Sequence, residues 1–185
     1  MDTKHIVFST SASSTDNKQI NIRKPSTKRI AAAKWTFTQE DYECHAQLDA
    51  LERIQANDYQ FVDDTSKIVV RQLTQKIGGY KQQDKAKQLF DAEQFITLRV
   101  VIDKLLDCAL KCYYCQCEVS VLYDIAREMR QWTVDRIDND VGHTADNFYI
   151  ACLECNLRRR RRSDEKFLFT KQLKLVKVPD DTSFV

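Results

Sequence analysis

The chain has 185 residues, of which 43% are apolar, and its 29 basic residues against 27 acidic ones give a net charge of +2. This length predicts one compact domain with a smaller extension, and a pI near 8.1 confines any strongly basic surface to one local region. The sequence holds no run of about 18 apolar residues that would cross a bilayer and no N-terminal signal-peptide pattern. We therefore expect an intracellular protein that is neither secreted nor transmembrane.

Residues 1–37 are predicted to form a basic, flexible tail. The first 34 residues hold seven Lys and Arg residues but only two Asp residues, and they are rich in Ser, Thr and Asn. Such a segment lacks the apolar content to fold alone. It either lies along phosphates as a basic arm or is a plain disordered terminus, and the sequence favours neither.

Apolar residues recur at helical spacing through residues 38–108, which predicts a helical region. Asp41 follows Thr38 at N-cap spacing, and the Gly78–Gly79 pair is typical of a helix end. Four helices are predicted: one from Thr38, one from Thr65 to the glycine pair, one over about 82–90, and one over about 92–108. The region has no catalytic constellation, so its candidate roles are to support the rest of the chain, to position a ligand, or to form a homodimer.

After residue 108 the helical pattern gives way to cysteines, aromatic residues and short β-prone segments. The segments 118–123 and 131–134 have β-prone composition. A helix is predicted from Asp146 to about Arg162, and a last helix over 167–175 in a C-terminal helix and tail that spans 166–185.

Two pairs of cysteines predict a structural zinc site. Cys112 and Cys115 form one C-x-x-C pair, Cys152 and Cys155 form another, and 36 residues separate the pairs. Two such pairs supply the four thiolates of a closed tetrahedral zinc site, and zinc would add folding energy that a small module lacks. A thioredoxin-like redox pair is the alternative, and Cys117 is an alternative ligand beside Cys115.

The segment between the cysteine pairs is rich in carboxylates and amides, and it contains His143. Hard divalent cations such as Mg²⁺ prefer oxygen ligands. Cleavage of a phosphodiester needs such an ion, a base that activates water, and a group that stabilises the leaving oxygen. All three ingredients occur in this segment.

The motif residues resemble those of HNH endonucleases, in particular the zinc-knuckle, D-R-I-D-N type found in phages and large DNA viruses. The similarity covers about residues 109–165 and rests on the sequence W-x-x-D-R-I-D-N-x-x-G-H from Trp132 to His143, then Asn147, then C-x-x-C-N ending at Asn156. It implies an α+β fold in which a zinc-stapled ββα-metal module follows the helical region and the basic tail. It also implies DNA as the substrate, with RNA left open, and the host cytoplasm, host nucleus or virion as the location if the protein is viral.

The resemblance also implies roles for individual residues. Asp135 and Asn156 would be ligands of a catalytic Mg²⁺ or Mn²⁺ ion, and Asn147 would brace the loop. Arg136 stands where the family's usual base is a histidine, and a guanidinium cannot act as a base near neutral pH, although it can hold a phosphate. His143 is then the candidate base, because its ordinary pKa near 6.5 suits that role; the alternative is that it only shapes the loop.

Five consecutive arginines predict contact with nucleic acid. Consecutive positions fan around a helix, so two or three of the five are expected to line a phosphate path, unless the run is only a solvated charge cluster or a localisation patch. The residues are Arg158, Arg159, Arg160, Arg161 and Arg162.

Four aromatic residues flank the same segment: Tyr113, Tyr114, Trp132 and Tyr149. Aromatic rings can stack on unpaired bases, but in a zinc knuckle we expect them to pack the small core.

Two functions follow from these observations. The first is a metal-dependent endonuclease that cuts DNA. The second is a catalytically impaired zinc protein of the HNH fold that binds nucleic acid or serves as a virion structural component, and Arg136 is the main reason to consider it.

Overall fold

The fold is described for residues 27–173 of a computed structural model. Most of the predicted tail and residues 174–185 lie outside this range. Within it the chain forms a mixed α+β fold with one two-stranded sheet and five α-helices among the described residues.

Helix α1 spans Cys44–Ala56 and follows two short 3-10 helices, Ile30–Lys34 and Glu40–Tyr42. The prediction that the first helix begins at Thr38 is wrong. The Thr38 backbone N–H and hydroxyl both donate to the Asp41 carboxylate, at 2.8 and 2.9 Å. The pair that looked like a helix cap therefore closes a local turn instead.

Helix α2 spans Asp64–Ala86 and continues through the glycine pair that was predicted to end it. None of the described glycines has a positive φ, so Gly78 and Gly79 adopt ordinary helical geometry. Buried Leu73, Ile77 and Tyr80 keep the helical spacing across the pair, and their burial outweighs the cost of about 1 kcal/mol per glycine. The separately predicted third helix is thus the end of α2.

Helix α3 spans Leu98–Asp107, with the Thr97 side chain as its N-cap. It begins later than predicted, because the Asp91 carboxylate accepts from the Glu93 and Gln94 N–H groups and fixes a turn there. The three helices share one apolar core. Its fully buried members include Leu51, Ile54, Leu73, Ile102 and Leu105.

Strands β1 (Trp132–Arg136) and β2 (Phe148–Cys152) pair antiparallel, with Asp135 opposite Tyr149. Helices α4 (Leu153–Arg159) and α5 (Asp164–Gln172) follow. The prediction of one helix over 146–162 is therefore wrong in its first half, where a short apolar run that periodicity alone cannot distinguish from a helix forms a strand.

Two further boundaries differ from the prediction. Segment 118–123 forms only isolated bridges, between Lys111 and Glu118 and between Ser120 and Gln131. Helix α5 begins three residues before 167, because the Ser163 side chain caps it.

Helix α2 covers the free edge of β1. Lys76 donates to the Trp132 carbonyl, and the Val134 N–H donates to the Tyr80 hydroxyl at 3.0 Å. These side chains satisfy edge groups that would otherwise be unpaired and fix the helical region against the sheet. Between residues 27 and 173 no helix has the length and apolar character needed to span a membrane.

Candidate metal centre and adjoining loop

The four predicted zinc ligands converge. Cys112 and Cys115 lie in the turn after α3, Cys152 ends β2, and Cys155 lies in the first turn of α4. Their sulfurs all lie within 4.8 Å of one another, and the Cys115 and Cys152 sulfurs are 3.9 Å apart. Tetrahedral zinc with bonds of about 2.3 Å places its sulfurs about 3.8 Å apart, so the arrangement is compatible with a bound zinc ion.

The electrostatics of the cluster also fit a cation. Hydrogen bonds from Cys152 and Cys155 lower the pKa of Cys112. The same contact with Cys112 raises the pKa of Cys152 to about 11 and raises that of Cys155. One thiolate therefore hinders ionisation of its neighbours, and a divalent cation would let all four ionise.

Cys117 lies beside the cluster rather than in it. Its sulfur is 3.3 Å from that of exposed Cys115. The four sulfurs that meet as one group are those of the two C-x-x-C pairs, and Cys117 stays an alternative zinc ligand in place of Cys115.

The Asp135 carboxylate is buried and fully engaged. One oxygen accepts from the Tyr114 hydroxyl at 2.7 Å, and the other accepts from Arg159 at 3.0 Å. Burial raises the pKa of Asp135, although Tyr114 and Arg159 both lower it. Arg159 also donates to the carbonyls of Arg136 and Ile137, so it ties α4 to the end of β1.

Asn156 faces the same strand from α4. Its amide donates to the Thr133 hydroxyl at 3.1 Å and to the Val134 carbonyl at 3.2 Å. Arg159 thus pairs with the Asp135 carboxylate, which is where the resemblance implies a catalytic divalent ion, and that ion stays a prediction. Among the residues described here, the cysteine cluster is the one group of three or more His, Cys, Asp or Glu side chains arranged to hold a metal.

His143 is held by Asp84, a residue that belongs to no motif in the sequence. Asp84 lies in the last turns of α2, and its two carboxylate oxygens contact the His143 Nδ1 and backbone N, each at 2.7 Å. A carboxylate only accepts, so Nδ1 carries the proton and Nε2 keeps its lone pair. Burial lowers the pKa of His143, which keeps the ring neutral, and Tyr80 stacks on it with ring centroids 4.7 Å apart.

Arg136 belongs to the His143 side of the strand. Its guanidinium donates to the Val141 carbonyl at 2.9 Å and lies 3.9 Å from Asp84. Successive strand side chains point to opposite faces, so Asp135 points the other way. The predicted catalytic residues are thus divided between two faces of β1.

A small cationic cleft opens beside this side of the loop. Lys87, Arg136 and Arg161 line it together with Leu89, Asn139 and Asp140. Lys87 and Arg136 both lower the pKa of His143, as nearby positive charges do. Arg136 also lies near Asp84 and Arg161 pairs with Asp140, so the three cations exceed these two carboxylates by one positive charge, which suits a phosphate.

Asn147 holds the loop between the strands. Its side-chain oxygen accepts from the Asp138 N–H at 2.8 Å, and its amide donates to the carbonyls of Asp138 and Gly142 at 2.9 and 3.0 Å. These contacts tie the two ends of the loop together, and the role that the resemblance implies for Asn147 stays a prediction. Gly142 fits tightly, because a β-carbon there would lie 2.4 Å from the Leu89 carbonyl oxygen.

Four of the five consecutive arginines are exposed, and we call these four the arginine face: Arg158, Arg160, Arg161 and Arg162. Arg159 is instead 1% exposed, so its predicted place on a nucleic-acid surface does not match its position. Three members of the face line a groove with Lys171. The exposed ion pairs of Arg158 with Glu154 and of Arg161 with Asp140 contribute little in high dielectric.

Comparison with protein-family models, with curated proteins and with solved structures finds no match to this chain. We therefore interpret the site from its geometry and from the motif residues.

Proposed function

We propose that this chain is an endonuclease of the HNH type that hydrolyses phosphodiester bonds in DNA. The observation that carries the proposal is the Asp84–His143 pair, together with the cationic cleft that is lined by Arg136, a neighbour of Asp84. A neutral imidazole whose Nδ1–H is held by a carboxylate is oriented to accept a proton at Nε2.

The cleft supplies the second requirement. A phosphate between Lys87, Arg136 and Arg161 would have its charge neutralised close to the imidazole. Arg136 then replaces the usual histidine as a phosphate ligand rather than as a base. His143 takes a proton from the water whose oxygen attacks phosphorus, the bond from phosphorus to the leaving sugar oxygen breaks, and that oxygen takes a proton from solvent. The arginine face would bind neighbouring phosphates along the strand.

Zinc has a structural role in this proposal. Cys112, Cys115, Cys152 and Cys155 join the turn after α3 to the β2–α4 junction, which holds α4 against β1. The resemblance implies a requirement for Mg²⁺ or Mn²⁺, and this requirement stays a prediction. Arg159 pairs with the carboxylate expected to bind the ion, so the proposal assigns no step to a divalent ion.

The second candidate is a non-cleaving scaffold of the same fold that binds nucleic acid or contributes to a virion. The Asp135–Arg159 pair favours it, since a guanidinium there substitutes for the cation of a working site. Binding through the arginine face needs no catalysis, so this candidate predicts affinity without cleavage.

A plasmid-nicking assay separates the two candidates. Wild-type protein is incubated with Mg²⁺ or Mn²⁺, with and without EDTA, next to His143→Ala and Asp135→Asn, and zinc content is measured in every sample. Nicking by the wild type that His143→Ala abolishes at full zinc occupancy supports the endonuclease. DNA binding without nicking under any of these conditions selects the scaffold, and nicking that persists in His143→Ala removes the proposed base.

A further inference from the structure

Two of the four aromatic residues near the zinc cluster are not buried in the core. Tyr114 and Trp132 are 2% and 1% exposed, as expected for core packing. Tyr113 and Tyr149 are half-buried, with ring centroids 3.7 Å apart and planes within 5° of parallel. Core packing thus accounts for one pair and leaves the other at the surface.

The surface pair lines a cleft, which we call the tyrosine cleft. Its floor is apolar, with Phe148 and Ile150, and its rim carries Lys104 and Lys111. The remaining described lining residues are Asp107, Cys108 and Gln116. Lys104 donates to the Phe148 carbonyl at 3.1 Å, so exposed Lys111 is the lysine that this cleft offers to an anion, while the apolar lining residues favour an apolar ring.

The tyrosine cleft adjoins the motif strand. Tyr149 lies directly opposite Asp135 in the β1–β2 register, and residues paired in this way have their β-carbons about 5 Å apart. Tyr113 immediately follows the zinc ligand Cys112, and its backbone N–H donates to the Ile150 carbonyl at 2.9 Å. The zinc staple and the sheet together hold both rings in place.

We infer that the tyrosine cleft binds an unpaired nucleobase of a nucleic-acid strand, stacked on the tyrosine rings, with the adjacent phosphate at Lys111. Bases within a duplex are already stacked on one another, whereas the faces of an unpaired base are free to stack on aromatic rings. The inference deepens the proposed function, on which it rests, by naming its substrate class: DNA with a single-stranded end, flap or bulge.

Oligonucleotide binding tests this inference without any cleavage. A fluorescent base analogue, 2-aminopurine, is placed in a single-stranded oligonucleotide and in a matched duplex, and each is titrated with wild type, Tyr149→Leu and Tyr149→Phe. We expect Tyr149→Leu to weaken single-strand binding by about 5- to 150-fold and to lose the quenching of the analogue. Tyr149→Phe keeps the ring and should keep both, and duplex affinity should stay unchanged in all three proteins.

Three results overturn the inference. Two of them, measured in variants that keep their zinc, are unchanged single-strand affinity in Tyr149→Leu and equal weakening for duplex and single strand. A further titration with AMP tests whether the cleft binds a free nucleotide or a base within a strand. AMP binding as tight as that of the oligonucleotide would contradict a site for a nucleic-acid strand. Selective loss of single-strand binding in a protein that never nicks DNA would uphold the cleft and refute the endonuclease, so the two failures are distinguishable.

Discussion

Asp84→Asn is the substitution that most sharply tests how His143 is positioned. The introduced asparagine keeps the shape of the side chain but replaces a carboxylate oxygen with an amide that can donate. Donation to Nδ1 would move the imidazole proton to Nε2, the atom that must accept from water. The change therefore inverts the tautomer that the 2.7 Å contact between the His143 Nδ1 and the Asp84 carboxylate fixes.

The expected effect on cleavage is large and the effect on folding is moderate. Loss of a general base lowers a rate by about 10²- to 10⁴-fold. Hydrogen bonds to charged groups contribute about 1.5–3 kcal/mol each, and the asparagine can keep one acceptor contact, so we expect a loss of about 2–3 kcal/mol. This is less than the stability of a typical domain, about 5–15 kcal/mol, so the variant should fold.

The pH profile of cleavage shows whether Asp84 positions the proton of His143 or only stabilises the fold. Burial lowers the pKa of His143, and Asp84 raises it by a smaller amount. Replacing the Asp84 carboxylate with a neutral amide should therefore move the acidic limb of the cleavage profile to lower pH, while the plateau rate falls. Nicking rates between pH 5 and 8, with nitrogen NMR of the imidazole, measure both. A plateau equal to that of the wild type with an unmoved limb would refute the reasoning.

Three other predictions follow from the described contacts. Replacing the arginine face by Ala should lower the slope of log affinity against log salt by about 0.9 for each lost phosphate contact, and an unchanged slope would remove these residues from the interface. Gly142→Ala should cost about 1–3 kcal/mol, since its β-carbon meets a backbone oxygen, whereas Gly79→Ala, with nothing within 4 Å, should stabilise α2 by about 0.5–1 kcal/mol; urea melts giving equal effects would contradict this. Burial lowers the pKa of Lys76 to about 7, so the unfolded chain binds more protons up to pH 10.5 and stability should rise with pH above 7, by up to about 1.4 kcal/mol per pH unit. Lys76→Met should remove that rise, and parallel pH dependence in the two proteins would argue against the shift.

Local chemistry explains what the sequence could predict. In each C-x-x-C pair a single turn brings both sulfurs to one point. The spacing of Cys112 and its three partners in the sequence is therefore enough to predict the four candidate zinc ligands. The Asn147 contacts all lie within ten residues of one another, which is why the motif anticipates them.

Tertiary contacts explain what the sequence could not predict. Asp84 is 59 residues from His143 and stands in a helix without a motif, so no spacing connects them. Arg159 looked like its four neighbours, and only the position of α4 against β1 sends it inward to Asp135. The glycine pair in α2 is a further example, because burial of the flanking residues outweighs the local tendency of glycine to end a helix.

We propose that four cysteine sulfurs hold one zinc ion and thereby fix α4 against the strands. Metal analysis of the purified protein combined with X-ray absorption at the zinc edge tests it directly. We expect one zinc per chain with four sulfur neighbours at about 2.3 Å, and loss of the ion in Cys152→Ser. A protein that folds without zinc, or a zinc with mainly nitrogen and oxygen neighbours, would contradict the claim.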